Sequence, residues 1–465
     1  MALLVGWTAA AVGPAAAQNA AATARRLEER KANTPQLYAM LRELPKGGDL
    51  HSHLSGAVYA ETFIAWAMDA DACIRTGDLA VDTATVCAAT RGLFNADDLL
   101  RDQSLYDRVV DAWSTRNWRR EMESGHYDFF RTFGKFGIAG DKRTGDMLAE
   151  VMRRAHAGRV SYLELMNTPD DGAGSLGTRA GWVADFTQMR ERLRAAGHAE
   201  VVAAARRDVA SWIARQRELM KCDTPAREAA CAVEVRFLYQ VARGRAPERV
   251  FAQIMTAFEV AATDSMVVGF NLVQPEDGYV SMRDYTLQMR MIDYLHQIYP
   301  QVKVSLHAGE LAPGLVPPEG LRFHIRQAVE LGHASRIGHG VDVLYEDRPI
   351  ELLQEMARRG VAVEINLTSN HTILGVSGRD HPLAAYHKYG VPTVISTDDE
   401  GVSRSEMTME YVRAVQDQGL GYLKLKEMAR NSLKHAFVQE KVKARLLEQL
   451  ERDFVAFERK WAAMK

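Results

Sequence analysis

Eight short apolar segments, most of them followed by sequence of helical character, constrain this chain more than any other feature. They fall at 48–54, 160–166, 233–241, 266–272, 302–307, 335–339, 362–367 and 393–397. Several are nearly continuous apolar runs, the pattern of parallel strands buried on both faces. Between the later ones lie helical patterns at 321–331 and 350–359. Gly332 and Gly360 stand just past these helices, where a left-handed cap residue belongs. Strand alternating with helix predicts a parallel α/β fold, and eight such strands predict a (β/α)8 TIM barrel. A length of 465 residues suits one such domain with additions.

Two stretches interrupt the rhythm and predict helical insertions at the barrel rim. One follows strand 1 and includes 98–136, rich in aromatic and charged residues. The other, at 180–221, precedes strand 3. Near the C-terminus, Leu447, Leu450, Phe454, Phe457 and Trp461 recur at helical spacing, which predicts an amphipathic helix packed on the body. The expected organisation is a leader at 1–17, a helical segment at 18–45 and a single barrel domain at 46–465.

Charge and cysteine usage bear on partners and compartment. Lys+Arg 58 against Asp+Glu 60 leaves a net charge of −2, with no surplus positive charge for nucleic acid or an anionic membrane. No apolar run beyond the N-terminus is long enough to span a bilayer. Residues 3–12 are mostly apolar, and Ala15, Ala16 and Ala17 before Gln18 fit the cleavage pattern of an export signal, although no basic residue precedes Arg25. An Ala-rich terminal helix is the ordinary alternative. The four cysteines form two locally spaced pairs, Cys73 with Cys87 and Cys222 with Cys231, which suit short-loop disulfides in an oxidising compartment; four free thiols are the alternative. Together these features predict a periplasmic or secreted protein.

The chemistry-bearing residues gather at strand ends. His51 and His53 close the first strand, and residues two apart in a strand point to the same side, so both imidazoles can reach one metal. His307 closes the fifth strand, followed by Gly309, which allows a tight turn, and Glu310. His339 ends the sixth strand, and Asp398 and Asp399 end the eighth. Taken singly, each has a bland explanation: a hydrogen-bonded structural histidine, a helix cap, a solvated charge. Taken together, they put metal- or proton-handling groups on four strand ends, and the C-terminal ends of barrel strands form one face. Three imidazoles and a carboxylate suit one zinc or another borderline divalent ion, rather than magnesium or calcium. Such an ion lowers the pKa of water towards neutrality. Glu310 is then the candidate proton donor, His339 and Asp398 the groups that steady an attacking hydroxide, and Asp399 a substrate contact.

These motifs resemble the adenosine deaminase family, including its secreted branch. The resemblance rests on Gly48-Asp49-Leu50-His51-Ser52-His53-Leu54, Leu306-His307-Ala308-Gly309-Glu310, Arg336-Ile337-Gly338-His339-Gly340 and Ser396-Thr397-Asp398-Asp399, with Ala429-Arg430-Asn431-Ser432 also family-like. It implies that His51, His53, His307 and Asp398 bind zinc and that Glu310 protonates purine N1. It implies His339 as the base or electrostatic partner of the hydroxide, Asp399 as the N7 contact, and inosine and ammonia as products. Phe133 and Phe136 resemble the aromatic lid over the purine, although packing of an amphipathic helix explains them equally.

Two positions depart from the family. Ser55 stands where members carry an acidic residue that contacts the ribose 5′-hydroxyl, and a serine brings a hydrogen bond without charge. Gln274 stands where the family favours a glycine whose backbone N–H meets N3. The sugar and the purine edge are therefore open, and deoxyadenosine or another 6-aminopurine compound remains an alternative to adenosine. Two other readings also stand: a different mononuclear amidohydrolase, and a secreted nucleoside-binding or signalling protein without turnover. The absence of a lysine in 266–272 favours one metal over a lysine-bridged pair, and no ligand or acid is missing.

Overall fold

The apolar runs pair in chain order. The computed structural model describes residues 14–120, 124–169 and 172–464. Its barrel strands are β1 (Gly47–His53), β2 (Val160–Asn167), β3 (Glu234–Ala242), β4 (Val267–Val273), β5 (Lys303–Ala308), β6 (Arg336–His339), β7 (Ala362–Ile365) and β8 (Thr393–Ile395). Each lies parallel to its neighbour in sequence. The ring closes just beyond β8, where Ser52 and Asp398 form a parallel bridge. There Asp398 N donates to His51 O at 2.8 Å and His53 N donates to Asp398 O at 3.0 Å. This is the (β/α)8 barrel, and its closure carries Asp398 to the two histidines of β1.

The barrel interior is not wholly apolar. Arg336 on β6 is fully buried between two carboxylates, Glu164 of β2 and Glu364 of β7, each at 2.5 Å, and its guanidinium lies 3.6 Å from the centre of the Phe437 ring. Replacing a buried triad of this kind by apolar residues often leaves stability unchanged, whereas deleting one member strands a charge. Glu364 also reaches His51 of β1, whose Nδ1 lies 2.7 Å from its Oε2.

Two expectations are corrected. The insertion after β1 is not purely helical. It carries a three-stranded antiparallel sheet (Cys73–Arg75, Val81–Asp82, Leu93–Asn95) amid its helices. Ile74, Val81 and Leu93 bury their side chains there, and Cys73–Cys87 ties the sheet to its own loop. Gly360 caps its helix at φ +68° as expected, but after the helix His324–Glu330 the left-handed residue is His333 (φ +54°). Gly332 serves close approach instead: a Cβ there would sit 2.8 Å from Ala328 O and 2.9 Å from Leu306.

The insertion before β3 is helical, comprising Gly172–Ala180, Phe186–Ala195 and His198–Leu219, and the Cys222–Cys231 disulfide follows it. The C-terminal helix Glu440–Ala463 buries Leu450, Phe454, Phe457 and Trp461 on one face. The N-terminal helix Pro14–Arg30 joins it, with Thr23 donating to Glu458 O at 3.4 Å and Arg30 lying over the Trp461 ring. That helix runs through the expected cleavage point after Ala17, while the apolar stretch 3–12 lies outside the described residues. Among the described residues, no helix is long and apolar enough to cross a membrane.

Candidate active site

Three histidines turn the same ring nitrogen towards one point because each has its other nitrogen committed. His51 Nδ1–H donates to Glu364 Oε2 at 2.7 Å, His53 Nδ1–H to Gln240 Oε1 at 3.1 Å, and His307 Nδ1–H to Asn271 Oδ1 at 2.8 Å. An acceptor on Nδ1 leaves the Nε2 lone pair free, which is how proteins orient metal-ligating imidazoles. Those Nε2 atoms converge with the Asp398 carboxylate: all four donor atoms lie within 4.8 Å of one another. His53 Nε2 is 3.2 Å from His307 Nε2, and both His51 Nε2 and His53 Nε2 are 3.4 Å from Asp398 Oδ1. A tetrahedral cation with bonds of about 2.05 Å keeps its ligands about 3.3 Å apart. His51 Nε2 is buried without a hydrogen-bond partner, as a ligand atom would be. The donor set therefore fits such an ion.

The backbone is forced at several of these positions. Asp398 (φ +59°), His339 (φ +69°) and Gln274 (φ +82°) adopt the left-handed region that non-glycine residues avoid. Such strain gathers where surrounding structure over-determines a site. Gly309 (φ +75°) makes the turn that brings Glu310 back over the barrel, and a Cβ at Gly309 would meet Asp342 Oδ1 at 2.4 Å. Glu310 Oε1 then lies 3.6 Å from His339 Nε2.

The tautomer of His339 follows from a chain of donors. Leu383 N–H donates to His381 Nδ1 at 3.2 Å, so the His381 proton sits on Nε2 and is given to Asn370 Oδ1 at 3.1 Å. That orients the Asn370 amide, whose Nδ2 donates to His339 Nδ1 at 2.9 Å. In the neutral ring the remaining proton belongs on Nε2, which faces Glu310.

Beside these groups opens a cavity of 360 Å³. Ser55, Gln240, Gln274, Glu310, Asp398 and Asp399 line it, and Phe129, Phe130 and Phe133 form an aromatic wall. Of the two phenylalanines singled out in the sequence, Phe133 lines the cavity. Phe136 does not line it: it is buried one turn further along the helix Gly125–Phe136 and stacks on Phe63 at 4.4 Å. Gln274 turns its side chain to accept from Gly244 N at 2.9 Å, so the amide is tethered to the wall. Its φ explains a family preference for glycine at this position. Asp399 presses close to Gly56, where a Cβ would sit 1.5 Å from Asp399 Oδ1.

Burial separates the protonation behaviour of the acids. Glu310 is pushed well above the usual carboxylate range by burial and by the charges of Asp398 and Glu276. Asp399 is pushed up by burial and by adjacent Asp398. Burial acts on Asp398 too, but His51, His339 and His53 outweigh it and hold this carboxyl well below its ordinary value. His339 is driven down to about 3 by burial, and His307 falls well below the usual value through burial and its imidazole neighbours. His51 behaves oppositely: burial lowers it, yet Asp398 and Glu364 together lift it to about 10, so a cation taking its Nε2 would displace a proton from that nitrogen. Neighbouring acids pushed apart in this way mark a division between proton donor and anion.

The structure brings together His51, His53, His307, Glu310, His339, Asp398, Asp399, Ser55, Gln274 and Phe133. Sequence reading missed the residues that hold them: Gln240, Asn271, Glu276, Glu364, Asn370 and His381. A signal existed for some, since Gln240, Asn271 and Glu364 are polar residues inside apolar strand-like runs. His381 and Asn370 carry no local signal of that kind.

Comparison with known proteins bears on the family and the fold. The family model described as adenosine deaminase matches residues 141–453. An adenosine deaminase of Pectobacterium atrosepticum is 37% identical over 148 residues, which is 32% of this chain and 41% of that protein. The chain thus aligns with less than half the length of the curated relatives it matches. Among solved structures, Arabidopsis ADAL complexed with IMP is similar at a TM-score of 0.59 and 20% identity, covering 89% of this chain and 97% of that one. An amidohydrolase from Burkhoderia ambifaria with bound Zn has a TM-score of 0.55 and 17% identity, covering 92% and 95%. These structural likenesses speak to the fold.

Proposed function

Because the chain belongs to the adenosine deaminase family, we propose that it hydrolyses the 6-amino group of a purine nucleoside, converting adenosine or deoxyadenosine and water to the inosine counterpart and ammonia. The observation that carries this reading is the meeting, beside one cavity, of three oriented imidazoles, an anionic Asp398 and two acids whose protons are retained by burial.

In this reading His51, His53, His307 and Asp398 hold zinc. A zinc ion held there would supply the Lewis acidity that makes water nucleophilic near neutral pH. Glu310 keeps its proton in the resting site and delivers it to ring nitrogen N1 as water oxygen attacks C6; one water proton restores Glu310, and the other goes to the 6-amino group as the C6–N bond breaks, ammonia leaves and C6=O forms. Protonating N1 turns the ring into an electron sink, so the negative charge of addition does not build on nitrogen. His339 holds its proton on Nε2 by virtue of Asn370, so it acts as a hydrogen-bond donor to the attacking oxygen and stabilises its charge. Protonated Asp399 donates to N7. The backbone N–H of Gln274 meets N3, Ser55 contacts the sugar, and Phe129, Phe130 and Phe133 cover the base.

The cavity lining favours an uncharged sugar. Among the described residues, no lysine or arginine lines it, while Glu310, Asp398 and Asp399 do. A 5′-phosphate would enter without a cation to offset its charge. The two disulfides support work in an oxidising compartment, periplasmic or secreted.

The test is a panel of adenosine, deoxyadenosine, AMP and adenine, followed by ultraviolet absorbance, on purified protein with zinc quantified. The two nucleosides should turn over and AMP should lag. Glu310→Gln should retain zinc and lose nearly all turnover; normal turnover in that variant would show the proton donor to be wrongly assigned. Zinc-loaded wild-type protein that acts on none of the panel would overturn the function, leaving a binding protein or another amidohydrolase.

A further inference from the structure

Glu276 is a fully buried carboxylate outside the groups assigned so far. It sits two residues beyond Gln274 in the segment that follows β4, and its side chain crosses to the turn after β5. Its Oε1 accepts from Gly309 N at 3.1 Å and its Oε2 from Glu310 N at 2.8 Å. Oε1 also receives Nδ1–H of His324 at 2.6 Å. His324 is itself immobilised, stacked on Tyr285 with ring centres 3.8 Å apart, and the Tyr285 hydroxyl donates to His324 O at 2.8 Å.

The other backbone groups of the turn are held elsewhere. His307 N goes to Asn271, His307 O to Arg243, Ala308 O to Gly340 N, and Gly309 O to Val341 N. The Gly309–Glu310 peptide has its carbonyl on Val341 N and Asp342 N, and its N–H side, next to a glycine at φ +75° with no side chain to resist rotation, is left to Glu276. Rotation there would swing the Glu310 side chain away from His339 and the cavity. Glu276 holds the N–H of this peptide and the N–H of the peptide before it.

We propose that Glu276 is the positioning residue of the proton donor: by accepting the N–H groups of Gly309 and Glu310 it fixes the turn that aims the Glu310 carboxyl at the substrate. The inference rests on the reading of Glu310 as the acid. It places the control of protonation on the same segment that, through Gln274, walls the cavity.

Glu276→Gln is nearly isosteric but replaces one acceptor oxygen with an NH2 group, which must then face a backbone N–H or His324. A small displacement of a catalytic group is costly, so kcat should fall about 100-fold. KM, zinc content and the affinity for inosine as a product probe should stay within about twofold, the scatter of uncoupled effects. In a Glu310→Gln background the same change should lower the residual rate by no more than about twofold, because its effect passes through Glu310. Glu276→Asp, which keeps the charge, should recover part of the loss and also covers the case in which the glutamine variant does not fold. Losses that multiply in the double variant, a loss carried by KM or zinc content, or an aspartate variant no better than the glutamine one would overturn the proposal. Inactive wild-type protein would overturn the reading of Glu310 together with it, whereas active wild type with multiplying losses would overturn the role of Glu276 alone.

Discussion

A single oxygen, Oδ1 of Asn271, accepts both the backbone N–H and the ring Nδ1–H of His307, each at 2.8 Å. One side chain thereby sets where the histidine leaves the strand and which nitrogen it offers. Asn271 is itself fully buried, with its amide 3.5 Å from the Ser305 hydroxyl, so the acceptor cannot drift.

Removing that acceptor should weaken zinc binding at the proposed site, and it also strands two buried N–H groups at a stability cost of about 1–3 kcal/mol each. Asn271→Leu leaves a side chain of similar size and no oxygen, so the His307 ring is free to rotate and to exchange tautomers. Zinc affinity, measured by competition with a chelator, should fall about 10- to 100-fold. Asn271→Asp keeps the acceptor and should bind zinc at least as well as the asparagine. Equal affinity in the leucine variant would mean that His307 is oriented by something else.

The donor chain through His381 and Asn370 makes a prediction about His339. In Asn370→Asp an acceptor-only carboxylate faces His339 Nδ1. The ring should then carry its proton on Nδ1 and present a lone pair to the cavity. If His339 acts as a hydrogen-bond donor, kcat should drop about 100- to 1000-fold, the usual cost of losing one transition-state donor. Nitrogen chemical shifts of the imidazole would report the tautomer directly. A variant with the switched tautomer and unchanged kcat would favour His339 as a base.

Stability should depend on pH through Lys46, which is far from the cavity. Its ammonium is fully buried and donates to Leu41 O at 2.7 Å, Leu44 O at 3.1 Å and Gly158 O at 2.8 Å. Burial pulls it down to about 7. An unfolded lysine titrates near about 10.4, so between these values the unfolded chain holds a proton that the folded one has released. Stability from this group therefore rises with pH across that window. The wild-type protein, compared with Lys46→Met by denaturant unfolding, should gain about 2 kcal/mol between pH 7 and pH 9. A flat or falling difference would show that the three carbonyls keep the ammonium charged.

Much of the candidate site was legible because its residues sit at ends of strands whose pattern is strong. His51, His53, His307, His339 and Asp398 follow or close apolar runs, and a barrel brings such ends to one face. The acceptors behind them were less visible. Glu364 appears in sequence as one charge in a short strand, and nothing local says that it reaches His51, two strands away around the closed ring. Phe136 was misread for a related reason: helical spacing puts it in line with Phe133, but the cavity ends before it and Phe63 covers it.

Periodicity, strand-end chemistry and paired cysteines are local properties, so the chain alone pointed to the barrel, to candidate metal-ligating types and to the local pairs Cys73 with Cys87 and Cys222 with Cys231, which the folded chain joins as disulfides. Protonation and tautomer are not local. They depend on burial and on partners tens to hundreds of residues away, as Glu276 is from Glu310 and Asn370 from His339. Those contacts exist only once neighbouring strands have paired, and the closure at Ser52 and Asp398 adds the histidines that hold Asp398 anionic while Glu310 is pushed up by burial.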